Sequence, residues 1–212
     1  MYGRIAQSLG ILLLVVWSTP SPAQAPTSIG TVDALVGDCT VVRFGQSGAS
    51  PLAVGAELYE GDRLRTEAGA RLRLAFIDGT VVQLGESTDL VLDWFLVAPD
   101  VNTQNVLLRV SSGIFRVILE LVLPRAAFEV QTSTAVATVR GTDWISEATP
   151  DATATVALEG QVAIRNIQPG IAGEVVLGPG EGTTVNAGAP PGPVTVWGDA
   201  RRNQFIERTT VP

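Results

Sequence analysis

Apolar and polar residues alternate with a period of two along most of this chain, and short glycine-bearing segments interrupt the alternation. That period puts successive side chains on opposite faces of an extended strand. Leu72, Leu74 and Val82, Leu84 flank Asp78-Gly79. Leu108, Val110 and Phe115, Val117 flank Ser112-Gly113, and Ala154, Val156 and Val162, Ile164 flank Glu159-Gly160. Each of the three pairs is expected to mark a β-hairpin turn.

Register follows from keeping apolar side chains on one face, because a one-residue slip carries every side chain across the sheet. A two-residue loop at Asp78-Gly79 would oppose Arg73 and Leu84 and mix the faces. A three-residue loop, Ile77-Asp78-Gly79 with Gly79 left-handed, opposes Leu74 with Val82, Leu72 with Leu84 and Arg73 with Gln83. The same construction at Leu158-Glu159-Gly160 opposes Val156 with Val162 and Ala154 with Ile164. At Ser112-Gly113 a two-residue loop opposes Val110 with Phe115 and Leu108 with Val117, and sets Arg109 against Arg116. Further strands are predicted at 29–35, 39–44, 90–97, 128–132, 135–139, 175–177 and 183–186.

Short strands at this density predict an all-β domain over residues 24–188, a hairpin-rich sandwich, roll or β-helix-like wrap. The run Ala189-Pro190-Pro191-Gly192-Pro193 is expected to end it as a stiff connector to the tail 189–212. In that tail Asp199 opens a short helix through Arg208, or the tail is disordered.

Residues 1–23 are expected to be a secretory signal peptide: Arg4, then the apolar run Ile11 to Trp17, then small residues. The run is much shorter than the roughly 20 residues a membrane helix needs. Cleavage falls after Ala23 or after Ala25, and Ala23 is preferred because Pro26 would otherwise begin the mature chain. The protein is then exported, to the periplasm. Its net charge is −7, one unit more negative once Arg4 leaves, so no general attraction to nucleic acid or anionic lipid is expected. Cys39 is the only cysteine and can form no internal disulfide. Its flank Thr40-Val41-Val42 points to a buried, inert thiol in a strand.

Histidine is absent, which removes Ser-His-Asp and Cys-His arrangements and nearly all imidazole-based metal sites. No cofactor is expected. A carboxylate pair drawn from Asp62, Asp78, Asp143 and Glu159 is the remaining catalytic option, a glycosidase. Because Asp62, Asp78 and Glu159 sit at glycine turns, structural hydrogen bonds are the expected use of them, and no enzyme is expected. Arg63, Arg65, Arg71 and Arg73 alternate with leucines and are expected to project from one sheet face, paired with acids such as Glu60, Glu67 and Glu86. The apolar segment 114–123 is read as a strand buried on both faces, a partner-binding patch, or a short amphipathic helix. Trp94 and Trp144 are expected in the core.

Several short motifs follow one another in order: Val54-Gly55, Gly61-Asp62-Arg63-Leu64-Arg65-Thr66, Phe76-Ile77-Asp78-Gly79-Thr80 and Gly113-Ile114-Phe115-Arg116. Phe128-Glu129-Val130-Gln131-Thr132, Val139-Arg140-Gly141-Thr142-Asp143-Trp144 and Val156-Ala157-Leu158-Glu159-Gly160-Gln161-Val162 complete the set. Across about 29–185 this order resembles the FecR domain of bacterial periplasmic signalling proteins and stand-alone secreted proteins. In sensor members the resemblance implies a periplasmic β domain that detects a signal from an outer-membrane transporter, and a cytoplasmic part that controls a sigma factor. This chain has no helical domain ahead of its apolar segment, so only the β module is expected to carry over.

The function expected is a non-enzymatic protein-interaction module of the cell envelope. Asp62, Arg63, Arg65, Ile118, Arg140, Asp143 and Trp144 are the candidate partner-binding residues. Glycan binding or a structural envelope role is the alternative, and it predicts aromatic residues exposed on one surface.

Overall fold

A computed structural model describes residues 26–98, 103–119 and 125–212. The expected signal segment with its cleavage positions, and residues 120–123 of the apolar run, lie outside them. In chain order the strands are β1 (Gly30–Val36), β2 (Cys39–Val42), β3 (Ala49–Pro51), β4 (Glu57–Leu58), β5 (Arg63–Thr66), β6 (Arg71–Phe76), β7 (Val81–Leu84) and β8 (Asp89–Ala98). Then come β9 (Thr103–Ile118), β10 (Arg125–Thr132), β11 (Ala135–Ala148), β12 (Ala152–Asn166), β13 (Glu174–Leu177), β14 (Glu181–Asn186), β15 (Thr195–Val196) and the helix α1 (Asp199–Thr209). The protein is all-β, as the alternation predicts.

The β6–β7 hairpin has the predicted register, Leu72 with Leu84, Arg73 with Gln83 and Leu74 with Val82. Gly79 is left-handed at φ 84°. Asp78 fastens the turn by accepting from the Thr80 amide at 2.9 Å, and its other oxygen accepts from the Thr80 hydroxyl and from Gln104 Nε2.

The other two expected hairpins do not exist. β9 runs through Ser112-Gly113 and β12 runs through Glu159-Gly160 without reversing. Each strand bends at its glycine and changes neighbours. Residues 103–110 of β9 pair with β8 and, in parallel, with β10, whereas residues 115–118 pair with β7 and β11. β11 bends in the same way at Gly141, and Asp143 stands opposite Glu159 beyond a register shift.

Positive φ at Gly113 (104°), Gly141 (59°) and Gly160 (71°) therefore serves a bulge. Close packing explains why these positions have no side chain. A Cβ on Gly160 would stand 2.3 Å from the Gly141 carbonyl oxygen, and one on Gly113 would stand 2.2 Å from Thr88 Oγ1. Strands that bend this way can serve two sheets at once.

The three shared strands join two half-sheets. One runs β3-β2-β5-β8-β9-β10-β11-β12-β13 and the other β4-β1-β6-β7-β9-β11-β12-β14-β15. Their inward side chains, including Leu64, Leu90 and Leu108 from the first and Leu72, Leu74 and Val82 from the second, form one apolar cluster. Val162 belongs to that cluster. Val156, equally buried, instead belongs to a smaller one with Ile114, Ile145, Trp197 and Phe205, so the expected Val156–Val162 pairing fails on packing as well as on register.

The 189–193 run lies along β14, with Pro191 bridged to Val185 and the Gly192 amide donating to the Thr184 carbonyl at 2.9 Å. α1 starts one residue after Gly198, which supplies no side-chain cap; Asp199 in the first turn and Arg208 in the last complement the helix dipole. Trp197 and Phe205 meet edge to face, 5.2 Å between centroids, and close the second cluster. No helix among the described residues is long and apolar enough to cross a membrane.

Candidate functional site

The bends in β11 and β12 stack against the end of β9 and leave a cleft of about 360 Å³, lined by Ile118, Leu119, Gly141, Thr142, Asp143 and Glu159. Its walls are held by backbone bonds, the Leu119 amide donating to the Thr142 carbonyl at 3.0 Å. Asp143 is gripped at both oxygens by Arg116, Nε to Oδ1 at 2.8 Å and Nη2 to Oδ2 at 2.6 Å. That hydrogen bonding raises the Arg116 guanidinium pKa further, against the opposing effect of burial. Glu159 is exposed on the facing wall.

A second concavity, about 450 Å³, lies at the other end of the first half-sheet, between the loop after β2 and the turn before β5. It is lined by Pro26, Arg43, Phe44, Gln46, Tyr59, Glu60 and Asp62. Asp62 is 1% exposed, and its Oδ2 accepts from Arg43 Nη1 at 2.5 Å and from the Tyr59 amide at 2.9 Å. The Arg43 guanidinium also lies 5.2 Å from the Tyr59 ring centroid. Phe44 is 81% exposed and rests on Gly61, where a Cβ would come within 2.7 Å of the ring.

The expected site residues therefore separate. Ile118 and Asp143 meet in the first cleft. The Arg140 backbone is in β11 beside it, and its side chain lies outside the described part. Asp62 lines the second concavity. Arg63 and Arg65 point elsewhere, both bonded to Asp89 of β8. Trp144 is fully buried edge-on to Phe128, so it holds the bend from inside.

Three sequence expectations are corrected. Arg71 and Arg73 are on β6, in the other half-sheet from Arg63 and Arg65, and Arg73 pairs with Asp33; no single cationic strip forms. Arg109 faces Asp93 rather than Arg116, because the hairpin that would oppose the two arginines is absent. Trp94 is 52% exposed on β8, since the shift between Leu92 and Trp94 turns it outward. Sequence reasoning missed Arg43, Phe44 and Tyr59. Phe44 lies in the turn just past β2 and departs from the alternation of Cys39 and Val41, which is the one local signal it carries.

Asp62, Asp78 and Asp143 are each engaged by guanidinium, amide or hydroxyl donors, which leaves Glu159 as the accessible carboxylate of the four. No group of three or more potential metal ligands occurs among the described residues.

Residues 62–163 match the family model described as FecR protein. Two crystal structures of a candidate anti-sigma factor from Parabacteroides distasonis superpose with TM-scores of 0.56 and 0.55. Each shares 16% sequence identity with this chain and covers 68% of it. The chain spans 64% and 63% of their lengths, and at this identity the likeness shows the fold. No curated protein matches the chain.

Proposed function

We propose that this protein is an exported, non-enzymatic interaction domain of the bacterial cell envelope that binds a protein partner through the Ile118–Asp143–Glu159 cleft. One observation carries the reading: the FecR match encloses every residue lining that cleft. The cleft's chemistry supports it, with an apolar floor at Ile118 and Leu119, a neutralised Arg116–Asp143 pair, and one exposed carboxylate at Glu159. Polar groups around a small apolar floor give orientation and specificity rather than bond-breaking. The regulatory character of FecR-type proteins and the anti-sigma-factor fold favour a sensing role for this β module.

Site-specific photo-cross-linking in the producing cell tests it. A photoreactive residue at position 159 is expected to give a discrete protein adduct in the periplasmic fraction, and one at exposed Val54 is expected to give none. Equal labelling from both positions, or a cytoplasmic location of the chain, would refute the reading.

The glycan alternative keeps one observation in its favour, the exposed Trp94 on β8 with Leu96 two residues on. Retention of the chain on envelope polysaccharide, abolished by Trp94→Ala, would establish it instead.

A further inference from the structure

The concavity between Arg43 and Asp62 contains an unmet electrostatic demand. Asp62 is 99% buried, and while Oδ2 carries two hydrogen bonds, Oδ1 has no hydrogen-bond partner among the described residues. A buried carboxylate oxygen without a donor costs free energy, so its retention calls for explanation. Glu60, on the same wall, is exposed and spends one oxygen on the Phe95 amide at 3.2 Å. Glu57 adds a third acid and is bonded to the Tyr59 hydroxyl. Among the described lining residues one cation, Arg43, stands against these carboxylates, and it is already committed to Asp62 and to the Glu57 carbonyl. The lining is therefore net negative.

Its apolar side is equally specific. Phe44 presents an almost free aromatic face at the mouth, seated on Gly61, whose left-handed φ of 83° and missing side chain leave room for the ring. An aromatic face beside unsatisfied carboxylates is the environment that receives a guanidinium or ammonium group, stacked on the ring and donating to the acids.

We infer that this groove is a second contact point that takes a basic side chain, an arginine, from an extended segment of a protein partner. The inference rests on the reading of the chain as a protein-binding module, and it adds the partner's chemistry at a site separate from the Glu159 cleft. Charge complementarity selects this occupant over a neutral sugar, which would leave the excess negative charge uncompensated. Arginine is favoured over lysine because its planar fork can stack on Phe44 while donating to the exposed Glu60, beside the buried Asp62 charge.

The test uses the exported chain, isotope-labelled, titrated with acetyl-Gly-Ser-Arg-Ser-Gly-amide while amide resonances are followed. The peptide is expected to shift the signals of residues 43–46 and 59–62, more strongly at low salt. The same peptide with Gln in place of Arg, and a neutral oligosaccharide such as maltohexaose, are expected to leave them unmoved. Phe44→Ala should weaken binding roughly fivefold, the effect of losing a partly solvated cation–π contact. Glu60→Gln should weaken it and flatten its salt dependence. Both substitutions are at exposed positions, so the test does not depend on whether Asp62→Asn folds.

Absence of shifts at those residues, undiminished binding by both surface variants, or equal shifts from the oligosaccharide would each overturn the inference. The cross-link at position 159 reports separately on the proposed function. Peptide binding without that adduct would retain the groove and reject the cleft, and the adduct without peptide binding would do the reverse.

Discussion

At the scale of single residues, environment decides what each group can do. The Cys39 thiol, buried on β2 and near Asp38 and Glu67, is pushed up from 9.0 to about 11, first by burial and then by those two carboxylates. It should resist a disulfide-exchange reagent at pH 8 in the native protein and react at once in urea. Because its folded value lies above the unfolded one, its contribution to stability is complete below about pH 9 and is lost as pH rises through 11. Denaturation midpoints of wild type and Cys39→Ala measured at pH 8 and pH 10.5 should therefore converge at the higher pH. Asp89 works in the opposite direction. Burial alone would raise its pKa, but hydrogen bonds from Arg63 and Arg65 outweigh that and hold the carboxyl below its ordinary range. Its stabilisation is present at neutral pH and disappears as acid protonates the folded carboxylate. Asp89→Asn should cost about 1 kcal/mol at pH 7, modest because both arginines are half in solvent, and little at pH 2. The inert thiol was legible from its strand flank. The partner of Arg63 and Arg65 was not, since Asp89 reaches them only through the β5–β8 pairing.

At the scale of elements, the same dipeptide signal led to two outcomes. Asp78-Gly79 reverses the chain, whereas Ser112-Gly113 and Glu159-Gly160 bend it. Local sequence supports either, because a left-handed glycine fits both a hairpin loop and a bulge. What separates them is the supply of partners for the backbone. β12 finds β11 along nearly its whole length, so its amides and carbonyls are met without folding back on itself. Substitution should expose the difference. Gly79→Ala, with open space around its Cβ, should cost about 1–2 kcal/mol for left-handed strain. Gly160→Ala adds a clash with the Gly141 carbonyl and should cost clearly more, with loss of the Glu159 cleft. Equal midpoints for the two variants in urea denaturation would contradict the bulge interpretation.

At the scale of the whole molecule, stability rests on two apolar clusters, and the second depends on the C-terminal helix. Phe205 and Trp197 cover Ile114, Ile145 and Val156, and Arg208 ties the helix to Glu147 at 2.7 Å. Phe205→Ala should cost about 3–5 kcal/mol and raise binding of a hydrophobic dye, while far-ultraviolet dichroism stays dominated by strand. Unchanged stability would mean that the helix is an appendage. Taken by itself, the sequence determined the period of two, and with it the all-β class, the shared face of Leu72, Leu74 and Leu84 and the first hairpin's register, because those depend on neighbours within a few residues. It also carried the ordered motifs of a FecR domain. Only the tertiary structure decided that β9, β11 and β12 each serve two half-sheets, that Trp94 faces solvent while Trp144 does not, and that Phe44 meets Asp62. Those outcomes depend on which distant strand satisfies a given backbone, a choice made by the global pairing of hydrogen bonds and burial rather than by any local pattern.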